Sequence, residues 1–162
     1  METTSARPAD DIETVMNTYG NMLYRLCVVM LKNESDAEDA VQETMIKFYR
    51  KAPAFRDREH EKAWLIRVAT NQCRDLLRFR ARHPQAGEEA FAAMPWDLSD
   101  GGIMDALTTL PEKYRLVLTL YYLEDYRIAD IAKIINRTSS AVNMRLQKGR
   151  RLLEKVYRVE YL

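Results

Sequence analysis

Apolar residues recur along most of this chain at the three- and four-residue spacings of amphipathic helices. From Ile12 to Leu31 they are dense enough for a buried helix, with Val15, Tyr19, Met22, Leu23, Leu26 and Met30 as its core set. Asn33-Glu34-Ser35 interrupts the pattern, and Ser35 with Glu38 forms a Ser-x-x-Glu capping box that predicts the start of a second helix. In that helix Ala37, Val41, Thr44, Met45 and Phe48 share one face and leave Asp39, Gln42, Glu43, Ile46 and Arg50 on the other, until Pro53 ends it. A loop from Ala52 to Arg58 leads into a third helix, Glu61 to Arg82. There Arg67, Asn71, Arg74 and Arg78 fall at i, i+4, i+7 and i+11 in one polar stripe, while Leu65, Val68, Ala69 and Leu76 turn toward the opposite side.

From His83-Pro84 to Gly102 the periodicity lapses. The segment is small and acidic, with Gln85-Ala86-Gly87-Glu88-Glu89 followed by Asp97, Asp100, Gly101 and Gly102, which is the composition of a linker. Leu110-Pro111 then opens a further helix at its favoured first-turn proline position, and Tyr114, Val117, Leu118 and Tyr121 supply its apolar face. Between Ile128 and Arg158 the pattern reads as a helix, a turn at Asn136-Arg137-Thr138, and a longer helix whose Val142, Leu146, Gly149 and Leu153 point inward. That is the outline of a helix-turn-helix. The expected fold is therefore all-α, two small helical domains at 1–82 and 104–162 joined by a flexible linker at 83–103, the second containing the helix-turn-helix.

Composition agrees with this reading. A chain of 162 residues, 47% apolar, can bury one ordinary core or two small ones, and five Gly with five Pro are sparse punctuation for an all-β fold. The formal net charge of +1 does not announce a nucleic-acid partner, but the charges are segregated. Acids gather at Glu34, Asp36, Glu38, Asp39 and Glu43; bases gather at Arg145, Lys148, Arg150, Arg151, Lys155 and Arg158. Cys27 and Cys73 lie in apolar helical stretches without a CxxC or His partner at metal spacing, so buried reduced thiols are expected and no metal or other cofactor. Neither a signal-peptide pattern nor a run long enough to span a membrane is present, and the expected location is the cytoplasm.

Two surfaces carry candidate chemistry. In the last helix Thr138 or Ser139 is placed to cap the first turn, which leaves free backbone N–H groups to meet a phosphate. Opposite the buried Val142 face lie Ser140, Asn143, Met144, Gln147, Lys148 and Arg151, placed to face a major groove. Asn and Gln can pair bidentately with adenine and Met can touch a thymine methyl, while Arg145, Lys148 and Arg150 suit phosphates. On the third helix the Arg67-to-Arg78 stripe lies beside the aromatics Tyr49, Phe55 and Trp64, a mixture suited to single-stranded nucleic acid. Periodicity alone is equally satisfied by solvated helix faces, and the acids from Asp36 to Glu43 equally by charges answering a helix dipole.

A resemblance then bears on the choice. Ser35-Asp-Ala-Glu-Asp-Ala-Val-Gln-Glu-Thr-Met-Ile-Lys-Phe-Tyr49, Ala63-Trp-Leu-Ile-Arg-Val-Ala-Thr-Asn71 and Arg74-Asp-Leu-Leu-Arg78 resemble the promoter-melting domain of bacterial sigma factors. Leu110-Pro-Glu-Lys-Tyr-Arg115, Ile128-Ala-Asp-Ile-Ala132 and Ala141-Val-Asn-Met-Arg-Leu-Gln-Lys-Gly-Arg150 resemble their C-terminal promoter-binding domain. Having these two domains, in this order, resembles the extracytoplasmic-function (ECF) group. The resemblance implies that Asp39, Gln42 and Glu43, with Ile46 on the same face, grip the clamp helices of the polymerase β′ subunit. It implies that Asn71, with the loop around Phe55, Arg56 and Asp57, captures a base flipped from the -10 element, beside the Arg67, Arg74 and Arg78 stripe that can hold the strand. It implies that the helix from Ser139 reads the -35 element. Asn143-Met144 departs from the group, which usually has a basic residue followed by a small one there.

The resemblance further implies core RNA polymerase (the β′ clamp helices and the β flap), promoter DNA and an anti-sigma protein as partners, with no membrane insertion and no catalytic activity. Two other readings stay distinguishable from it. A stand-alone helix-turn-helix regulator would bind its promoter tightly without polymerase, and a nucleic-acid enzyme would have to work with two histidines, His60 and His83, and no convincing metal carboxylate cluster.

Overall fold

The computed structural model describes residues 9–83 and 102–161. They form seven α-helices and one π-helical segment and divide into two compact units, the first holding α1 to α3 and the second the remainder. The acidic segment expected as a linker lies almost wholly outside the described residues.

In the first unit α1 (Ala9–Leu31), α2 (Glu34–Lys51) and α3 (Arg58–Arg82) pack pairwise against one another. The α1 core is Val15, Tyr19, Leu23, Leu26 and Met30, joined by Cys27, Val28 and Val29, while Met22 is only half-buried. Both cysteines are buried thiols outside any disulfide. From α2 come Ala37, Ala40, Val41, Thr44, Met45 and Phe48, and from α3 Leu65, Ile66, Ala69, Thr70 and Cys73. Three amphipathic faces thus close on one core, whose burial is the main stabilising term.

The capping-box expectation at Ser35 is corrected. Lys32 ends α1 in the left-handed region (φ 57°), Asn33 is extended, and the Asn33 side chain accepts the Asp36 N–H at 2.9 Å. Asn33 is therefore the N-cap, and Ser35 already lies inside the first turn. The α1–α2 connection is too short to leave Ser35 outside the helix, and Asn tolerates the cap as well as Ser. The third helix also starts earlier than its apolar pattern, because Asp57 caps it by accepting the His60 N–H at 2.8 Å.

In the second unit α4 (Ile103–Thr108), α5 (Glu112–Leu118), a π segment (Thr119–Leu123), α6 (Ile128–Ile135) and α7 (Ser139–Tyr161) follow in order. Gly102 precedes α4 at φ 86°, a backbone position that glycine takes without a Cβ clash. Pro111 stands one residue before α5 rather than within its first turn. Arg115 is buried, and its Nη1 donates to Leu110 O at 2.8 Å and to Thr108 O at 3.4 Å, so the turn between α4 and α5 is held by a cation. Burial pushes its pKa down and Glu112 partly opposes this, but an arginine stays charged.

The helix expected to run through Tyr121 as a plain α-helix widens at Thr119. Thr119 Oγ1 donates to Arg115 O at 2.7 Å, a back-bond that competes with the helical ladder, and Glu124 N–H reaches Thr119 O at 3.2 Å in the wider register. Asn136 then ends α6 in the left-handed region (φ 57°, ψ 53°), which a short amide tolerates, and the chain turns into α7. Val142 and Leu146 are fully buried, Gly149 is buried and Leu153 half-buried, and α7 packs on α4, α5 and α6.

Candidate nucleic-acid and polymerase interfaces

Three outward faces follow from these packings. On α2, Asp39, Gln42, Glu43 and Ile46 are all exposed, Ile46 to 41%, because the residues between them fill the core. Asp36 does not share that surface. Its carboxylate pairs with Arg80 and ties the first turn of α2 to the last turn of α3. Ile46 and the 40%-exposed Tyr49 instead border a shallow hollow with Ile12, Met45 and Arg50, so the acidic face continues into an apolar one.

On α3, Arg67, Asn71 and Arg78 are exposed and Arg74 half-buried. At about 3.6 residues per turn, Trp64, Asn71 and Arg78 lie almost in line, and Asn71 sits at the centre of the face opposite Leu65, Ala69 and Cys73. Arg78 meets Asp75 at 3.6 Å with both side chains about two-thirds exposed, a pair that solvent screens heavily.

The aromatic cluster differs from the expected one. Phe55 stacks on Phe48 (6.2 Å between ring centres) and meets Trp64 edge-on at 5.8 Å, while Phe48 and Trp64 are 6.3 Å apart. Phe48 takes the place expected for Tyr49, because adjacent positions on a helix point about 100° apart and only Phe48 is on the core side. The cluster fixes the 52–57 loop at the level of Trp64, roughly 10 Å along the helix from Asn71. Loop and amide therefore line one track rather than a single point. Asp57, placed by resemblance in the capture site, has one carboxylate oxygen committed to capping α3. Arg56 is exposed.

On α7, Thr138 supplies the cap: its Oγ1 accepts the Ala141 N–H at 3.0 Å, so Ser139 is the first helical residue. Ser140, Asn143, Met144, Gln147, Lys148 and Arg151 are all exposed, Met144 to 69%. The Lys148 Nζ lies over the Tyr114 ring, 5.9 Å from its centre, a long cation–π contact. Arg145 is half-buried. Arg150 is diverted: its Nε donates to the Tyr122 hydroxyl at 2.5 Å, and its guanidinium lies 5.7–5.8 Å from the rings of Tyr121 and Tyr122. Both tyrosines lie in the π segment, edge-to-face at 4.9 Å. Beside them opens an apolar groove of about 410 Å³ with Met104, Leu107, Leu123 and Leu153 in its walls. Among the described residues no group of His, Cys, Asp and Glu is arranged to hold a metal, and no helix is long and apolar enough to cross a membrane.

An acidic-apolar face and a basic stripe on one three-helix unit, with a helix-turn-helix on a second, define a class of helical transcription factor. Comparison with known proteins makes this specific. Sigma-70 region 2 matches residues 15–83 and Sigma-70 region 4 matches residues 101–153. The chain is 29% identical to the ECF RNA polymerase sigma factor SigW of Bacillus subtilis, over 92% of this chain and 90% of that protein. It is 27% identical to SigM of the same organism, over 90% and 94% respectively. Among solved structures it is similar in fold to the sigma factor RpoE of Bartonella quintana, crystallised with the anti-sigma factor NepR (TM-score 0.75, 22% identity, 93% of this chain and 98% of that one). It is also similar to CnrH in complex with the cytosolic domain of CnrY (TM-score 0.69, 22% identity, 94% and 91%). The chain belongs to the sigma-70 family of RNA polymerase sigma factors, in the ECF group.

Proposed function

We propose that this sigma factor binds core RNA polymerase through the α2 face, captures the melted -10 strand along α3 and reads the -35 duplex with α7. The observation that carries this reading is that three chemically different faces each stand directly opposite a buried one, so each is presented by a rigid helix. Asp39 and Glu43 beside Ile46 suit a basic-apolar helical partner such as the β′ clamp helices. The groove between α4, the π segment and α7 suits an apolar helix such as that of the β flap. Along α3, Arg67, Arg74 and Arg78 hold the strand backbone while the Asn71 amide bonds an extruded base. On α7, Asn143, Met144 and Gln147 contact base edges, and Lys148, Arg151 and Arg145 contact phosphates. Arg150 is held through Nε by Tyr122 and is exposed, so its Nη groups are placed for a phosphate. An anti-sigma protein covering the polymerase-binding face is the regulator, in keeping with the anti-sigma complex of the similar RpoE structure.

Run-off transcription with purified core polymerase on a random promoter library tests the reading. Transcripts that depend on this chain and share two conserved elements support it. Tight promoter binding without core polymerase would replace it with a stand-alone regulator.

A further inference from the structure

The start of α3 carries a second contact that capping by Asp57 does not require. His60 is the third residue of the helix. Its backbone N–H donates to Asp57 Oδ1 at 2.8 Å, and its ring Nδ1 accepts the backbone N–H of Arg56 at 3.2 Å. The same ring meets Phe55 edge-on, 5.2 Å between centres with the planes at 87°. This is the reciprocal logic of a capping box, with two differences. Imidazole replaces the usual Glu or Gln, and the bond returns to the residue before the N-cap rather than to the N-cap itself. His60 thus engages three successive residues of the loop: Phe55 and the Arg56 amide through its ring, and the Asp57 carboxylate through its backbone N–H.

We propose that His60 is a positioning residue that presents the Phe55–Asp57 loop to the melted strand through the acceptor on Nδ1. This rests on the strand-capture reading of that loop. Without the Nδ1 bond the Arg56 amide has no partner in the helix ladder, since it lies before the cap, and the Phe55–Arg56 peptide is free to rotate. The aromatic packing of Phe55 on Phe48 and Trp64 would hold the ring, but not the orientation of Arg56. The bond needs the ring proton on Nε2, which leaves Nδ1 as the acceptor.

Two variants separate acceptor from packing. His60→Gln keeps an acceptor of similar reach and loses the ring; His60→Phe keeps a ring against Phe55 and loses the acceptor. Amide exchange at Arg56, read by NMR on the full chain, should quicken roughly fivefold in His60→Phe, the equivalent of one exposed hydrogen bond, and stay near wild type in His60→Gln. Open-complex formation with core polymerase on a duplex promoter should slow by a similar factor in His60→Phe only. Unchanged Arg56 exchange in His60→Phe, or rescue of opening by Phe rather than Gln, overturns the proposal. Phe55→Ala distinguishes the two ideas: if it slows opening while His60→Phe does not, the His60 role is wrong. If neither slows opening, the strand-capture reading of the loop is itself wrong.

Discussion

Replacing Asn71 by alanine sets the stability of the fold against its function. Asn71 is exposed in the middle of α3, centred on the face turned away from the core. Asparagine is less favourable than alanine in a helix interior by roughly 0.5 kcal/mol, so Asn71→Ala should stabilise the first unit slightly or leave it unchanged. Against this, the lost amide removes one or two hydrogen bonds to an extruded base, together about 1–3 kcal/mol. Open-complex formation should then slow by roughly 5- to 150-fold while the denaturation midpoint holds or rises. Permanganate reactivity of the melted thymines follows the opening, and a core-binding titration run in parallel should be unaffected. A template with a pre-melted bubble bearing the same bases should recover only part of the loss, because the opening cost is removed but the base contact stays broken. Opening at the wild-type rate on duplex DNA would remove Asn71 from the mechanism.

Charge reversal at Asp39 and Glu43 should weaken the complex with core polymerase in a pull-down titration while far-UV circular dichroism stays unchanged, since neither side chain contributes to the core. Replacing Arg151 should lower affinity for all promoters and reduce the salt slope by about one unit, whereas Asn143→Ala should change the selected -35 sequence at one or two positions in a library assay. Gly149 has Leu118 Cδ1 3.1 Å and Tyr114 Cβ 3.4 Å from where a Cβ would stand. The alanine variant should be close to neutral in urea denaturation, because a gain of about 1 kcal/mol in helix propensity offsets a small shift of the Leu118 methyl. Gly149→Leu should destabilise the second unit by about 3 kcal/mol, because its further atoms have no space between α5 and α7.

The sequence by itself determined what depends on spacing along one helix. The division of α2 into a buried Ala37–Phe48 side and an outward Asp39–Ile46 side, the α3 stripe, the inward Val142, Leu146 and Gly149 and the turn at Asn136 were all legible, because each follows from the 3.6-residue period and the local chemistry of turns. Tertiary packing decided every question in which a side chain had more than one partner to choose from. Asn33 rather than Ser35 caps α2 because the short α1 connection draws Ser35 into the helix. Asp36 turns to Arg80 of α3, from the far end of another helix, and leaves the acidic face. Phe48 joins Phe55 and Trp64, and Arg150 joins Tyr122 on a π segment from Thr119 that has no clear mark in composition. Periodicity states which way a residue points from its own helix axis. Which partner it meets there depends on how the helices cross, and that is set by the fit of side chains far apart in the chain.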